Sequence, residues 1–148
     1  MSNVLARKRG VSEMEFYHCA KDLRVTATRF LMNDKYVPKR WKPVFTFPML
    51  DLLRDMTNCI CAANDVYPYN EERLLQRTRL QDQAIEDCSK LWDNLQWMIE
   101  TLFSWIDADH PMPTQLEQMG ELLDRTESLL KAWRRSAKLV NYKTPAKP

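Results

Sequence analysis

Between Leu74 and Ile106 one spacing repeats without a break. Leu74, Thr78, Gln81, Ile85, Cys88, Trp92, Leu95, Ile99, Leu102 and Ile106 recur at alternating steps of four and three. This is the period of one face of an α-helix, and no strand can keep it, because strand side chains alternate with period two. A helix over about 70–106 would be about 55 Å long at 1.5 Å per residue. Its apolar stripe then requires cover from other helices. Three more stretches carry the same spacing. Phe16, Ala20, Leu23, Ala27 and Phe30 mark a helix over about 12–33. Met49, Leu52, Met56, Ile60 and Ala63 mark one over 48–66, and Leu116, Met119, Leu123, Thr126, Leu130, Trp133 and Ala137 one over 114–138.

Prolines punctuate these stretches. Pro38 and Pro43 stop the first helix, Pro48 suits the first turn of the second, and Pro68 and the Pro111/Pro113 pair mark the later breaks. Ser12 with Glu15, and Thr114 with Glu117, have the spacing of capping boxes, while Asn70 precedes two glutamates suited to a positive helix end. Short connections between four amphipathic helices predict an all-α, up-down-up-down antiparallel four-helix bundle. The expected domain covers 12–140, after a basic leader at 1–11 and before a tail at 141–148 expected to be mobile. Two glycines in 148 residues leave little for hairpins or phosphate-cradling loops, which argues against β-rich, dinucleotide-binding and P-loop folds.

No apolar run approaches the roughly 20 residues of a membrane span. Met1 is followed by polar and basic residues without the apolar core of a secretory signal. Cys19, Cys59, Cys61 and Cys88 all lie in helical patterns. Cys59 and Cys61 would point about 200° apart on a helix and cannot readily share an ion. Reduced thiols and a cytoplasmic location are the expectation.

Residues that could carry chemistry are few. Glu15 and His18 have the E-x-x-H spacing of di-iron carboxylate bundles, with an echo at Asp107 and His110. In the expected topology His18 and His110 lie at opposite ends, and Glu15 belongs to a cap. No histidine is paired in the sequence with a nucleophile and an orienting group. A non-catalytic chain without cofactor or metal is therefore expected, and a metal-dependent enzyme built on Glu15 and His18 is the rival.

Interaction is the better-supported theme. Ala84, Leu91, Met98 and Trp105 form a second stripe, seven apart, beside the first on the third helix. Together with Trp92 and Trp97 this is more apolar surface than one small bundle covers, so Leu91, Trp97, Met98 and Trp105 are candidates for an oligomer or partner interface. Charge is uneven despite a net of only +2: residues 1–45 carry ten Lys/Arg against four Asp/Glu, residues 46–110 five against twelve, and residues 111–148 seven against four. Arg7, Lys8 and Arg9 should meet Arg134, Arg135 and Lys138 at one end of the bundle. Lys39, Arg40 and Lys42, with Trp41 among them, form a second cluster at the other. Clustered cations with interleaved aromatics suit a phosphate backbone with stacked, unpaired bases.

Several segments resemble a known family. They are Asn64-Asp65-Val66-Tyr67-Pro68 with Asn70-Glu71-Glu72, Arg77-Thr78-Arg79-Leu80-Gln81-Asp82-Gln83-Ala84, and Leu129-Leu130-Lys131-Ala132-Trp133-Arg134-Arg135-Ser136, with the leader Val4-Leu5-Ala6-Arg7-Lys8-Arg9-Gly10. Together they look like the accessory variability determinant proteins of diversity-generating retroelements, four-helix bundles related to proteins encoded in ribosomal RNA intervening sequences. The resemblance spans about Val4 to Ser136. It implies a non-catalytic, homopentameric partner of an element-encoded reverse transcriptase that binds template RNA or cDNA. Carried over by position, Arg77, Arg79, Lys131, Arg134 and Arg135 match basic places of the family, and Arg7, Lys8 and Arg9 its basic leader. The net charge of +2 departs from the strongly basic members and keeps open a scaffold that binds only protein.

Overall fold

The computed structural model describes residues 14–140. The basic leader with Arg7, Lys8 and Arg9, the Ser12 cap and the tail from 141 lie outside the described residues. Four α-helices follow in order: α1 Glu15–Leu31, α2 Thr46–Asp65, α3 Glu71–Leu102 and α4 Thr114–Arg135, with a short 3₁₀ turn Lys39–Trp41 between α1 and α2. They pack α1 on α2, α2 on α3, α3 on α4 and α4 on α1, so α1 and α3 face one another across the core diagonal. No strand occurs among the described residues. The architecture is an all-α four-helix bundle.

The connections work without left-handed backbone: no described residue has a positive φ. That is how a chain with two glycines can turn three times. Asn70 caps α3 as expected, its Oδ1 accepting from the Arg73 amide at 2.8 Å. The cap expected at Thr114 does not form. Thr114 is already the first helical residue, and Pro113, in extended conformation, precedes it without a side-chain cap. A threonine in helical geometry cannot turn its hydroxyl back onto the first-turn amides. At α1 the Glu15 carboxylate is engaged by Arg125 of α4, which ties the two helices together across the surface.

The core also corrects the two-stripe reading of α3. Gln81, Ala84, Cys88, Leu91, Leu95 and Met98 are all buried within the single chain. The supposed second stripe interleaves with the first as the two seam positions of one heptad. Leu91 and Met98 therefore pack in the protomer's own core and are not available as an oligomer face. Aromatic stacking closes both ends: Phe16 lies on Trp133 at 4.1 Å below, and Phe30 on Tyr36 at 4.6 Å above.

Candidate nucleic-acid and partner surfaces

The lower end collects the start of α1, the end of α2, the start of α3 and the end of α4. Here the cations singled out in the sequence differ sharply in what holds them. Arg77 donates to the Val66 carbonyl at 3.1 Å and lies over the Trp133 ring, and burial pushes its guanidinium below its ordinary value. Arg134 is tied through Nε to Asp82 at 2.8 Å, and Lys131 to Glu127 at 3.5 Å. Arg79, Arg135 and Lys138 are exposed and have no ion pair among the described residues. Arg73, which the sequence reading passed over, lies above the Tyr69 ring at 5.2 Å. Arg79, Arg135 and Lys138, with half-buried Arg73, thus ring an end at which Tyr67 and Tyr69 are also exposed.

At the upper end the expected trio does not act together. Lys42 is only 7% exposed. Its ammonium donates to the Val37 carbonyl and pairs with Asp34 at 3.1 Å, closing the loop after α1. A buried, paired ammonium is a structural strut, so Lys42 drops out as a nucleic-acid contact. Lys39 and Arg40 remain exposed, with Arg40 over the Trp41 ring at 5.7 Å. Trp97 and Trp105 are both about half exposed. The edge of Trp97 meets Phe45 at 4.8 Å, and Trp105 leans on Phe103 at 5.8 Å while its indole N–H donates to the Leu102 carbonyl. These two tryptophans stay on the surface.

One surface had no place in the sequence reading. A groove of about 670 Å³ runs between α1 and α2, and Lys21, Arg24, Val25 and Arg29 line it from α1, opposite Thr57 and Asn58 of α2. No carboxylate lines it. Arg24 donates to the neutral Thr57 hydroxyl at 3.0 Å, so its charge is not cancelled. Lys21 and Arg29 have no ion pair among the described residues. The signal was present: positions 21, 25 and 29, with 24 and 28, lie along one side of a helix. It was overlooked because these cations are spread through an apolar pattern and do not form a run.

The E-x-x-H pair does not assemble into a site. Glu15 is engaged with Arg125, and His110 sits at the far end against Asp107 at 3.0 Å. Among the described residues no group of three His, Cys, Asp or Glu is close enough to hold a metal ion. Burial pushes the Cys88 thiol up to about 12 and raises Cys59 as well. No described helix is long and apolar enough to cross a membrane. Comparison with protein-family models, with curated proteins and with solved structures gives no match for this chain.

Proposed function

We propose that the protein is a non-catalytic, cytoplasmic accessory of a diversity-generating retroelement. In this reading it assembles into a homo-oligomer, pentameric if it follows the family it resembles. It contacts the reverse transcriptase and holds template RNA or cDNA while a mutagenic copy is made. The observation that carries the reading is the lower end of the bundle. There Arg79, Arg135 and Lys138 are exposed, with half-buried Arg73 beside them, near Tyr67 and Tyr69. That combination supplies counterion release to a phosphate backbone and aromatic surface to unpaired bases, without reading sequence. The segments that carry the family resemblance include Arg79 and Arg135.

A gel-shift titration of single-stranded RNA over a salt series tests it. The native chain should bind at low salt and weaken steeply as salt rises. Arg79→Glu combined with Arg135→Glu should weaken binding at least about tenfold with helicity unchanged, since each lost phosphate contact also lowers the salt slope by about one. Unchanged affinity would remove these residues from the contact, and no shift at low salt would remove nucleic acid from the function. A second reading, a scaffold for protein partners alone, is favoured by the ion pairs that neutralise Arg134, Lys131 and Lys42. Co-purification of the reverse transcriptase by a chain that shifts no RNA would select it.

A further inference from the structure

The outer faces of α1 and α3 are complementary to one another. On α1, Lys21, Val25 and Arg29 follow along one side, and Val25 is 41% exposed between the two cations. On α3, Asp93, Trp97 and Glu100 follow at steps of four and three, and Trp97 is 52% exposed between two exposed acids. Lys21 and Arg29 are about 12 Å apart along their helix axis, and Asp93 and Glu100 about 11 Å along theirs. One face reads cation, apolar, cation, and the other anion, apolar, anion, at matching spacing. Neither face can satisfy the other within one molecule, because α1 and α3 lie across the core diagonal and Lys21, Arg29, Asp93 and Glu100 are exposed.

We infer that the α1–α2 groove of one protomer receives the outer face of α3 from a second copy of this chain, with Trp97 as the central anchor. This rests on the oligomeric reading proposed above and gives it an interface. Two different surfaces meet, so the contact is heterologous, and repeating it builds a ring or an open chain in place of a two-fold dimer. Trp97 enters the groove beside Val25 while Asp93 and Glu100 meet Lys21 and Arg29. Aromatic anchors surrounded by complementary charge are where binding energy concentrates. Asp22 and Glu121 line the adjoining groove towards α4, which Val25 and Arg29 share, so these carboxylates border the receiving face without lining the α1–α2 groove itself. Arg24, held to Thr57, adds a third positive charge to the receiving side.

Charge exchange in the full chain tests the contact, read as mass by light scattering at micromolar concentration and low salt. The native chain should exceed the 17.6 kDa of one copy. Lys21→Glu with Arg29→Glu, and separately Asp93→Lys with Glu100→Lys, should each fall to that mass with helicity and melting temperature kept. All four changes in one chain restore the complementarity and should restore the native mass. Trp97→Ala, which leaves every charge in place, should weaken association at least about tenfold, as loss of a central anchor does. A native oligomer whose mass ignores both exchanges, or a folded fourfold variant that stays single, overturns the inference and leaves the oligomeric reading standing. A native chain of one-copy mass overturns both. If Lys21→Glu with Arg29→Glu abolishes RNA binding at unchanged mass, the groove is a nucleic-acid track and the inference is likewise overturned.

Discussion

The two halves of α3 line the same core with different chemistry. Its upper half contributes Leu91, Leu95 and Met98, which pack into the apolar core with Phe30, Phe45 and Phe103. Its lower half and midpoint bring Thr78, Gln81 and Asp87 into the interior with Cys88, and α4 adds Thr126 at the same end. Polarity there is only partly satisfied. Thr126 donates to the Cys19 sulfur at 3.2 Å, and Gln83 donates to Asp87 Oδ1 at 3.1 Å. Both amide atoms of Gln81 and Oδ2 of Asp87 have no partner. The upper half supplies stability by close packing, and the lower half gives some of it up. Real proteins break such packing rules at a few places, and here the break lies towards the end that exposes Arg79, Arg135 and Lys138.

The sharpest way to break this contrast is Met98→Ala. If Met98 packs within the protomer, truncation opens a cavity and costs about 2–5 kcal/mol of unfolding free energy. Denaturant titration would show this as a lower midpoint at unchanged slope, and the mass in light scattering should not move. A mass change without loss of stability would return Met98 to a subunit interface and undo the core described above.

The opposite sign is expected at the polar end. Gln81 is 1% exposed and makes no hydrogen bond, so an apolar residue of similar size removes an uncompensated desolvation cost. Gln81→Leu should therefore raise stability by roughly 1–3 kcal/mol. For a chain of this length that is about 2–4 °C of melting temperature per kcal/mol. A lower melting temperature would mean that the amide is satisfied in solution, for instance by buried water, and would erase half of the comparison.

Much of this architecture was legible in the sequence, for reasons that differ by residue. The four helices could be read because amphipathic spacing is a local signal that packing enforces. The Asn70 cap could be read because it needs only its own neighbours. Leu91 and Met98 were misplaced because two stripes seven apart look like two faces until the partner helices show that they are one seam. Lys42 was misplaced because its burial depends on where the 3₁₀ turn carries the Val37 carbonyl and Asp34. For the candidate surfaces the sequence showed where cations are dense and could not show which are neutralised. Arg134 meets Asp82 from 52 residues away. Lys21, Arg24 and Arg29 could be placed on one side of α1 from their spacing, but that no carboxylate cancels them is seen only when α2 completes the groove.

The smallest expected effect is also the most diagnostic, because its sign depends on pH. Burial raises the carboxyl of Asp87 above its ordinary 3.8, with Asp55 and Glu86 adding to the rise while the Gln83 hydrogen bond and Lys90 oppose it. The folded state then binds more protons at this position than the unfolded chain does. Its contribution to stability is fully present below the ordinary value and is lost as pH rises through the folded value. Asp87→Asn removes the titration while keeping an oxygen to accept from Gln83. The variant should match the native chain near pH 3.5 and gain about 1 kcal/mol towards neutrality. Melting both proteins across that range isolates the effect, because every other carboxylate cancels in the difference. A native chain more stable than the variant at pH 7 would mean that the charged form of Asp87 is held by a favourable partner, and the lower core would no longer contrast with the upper.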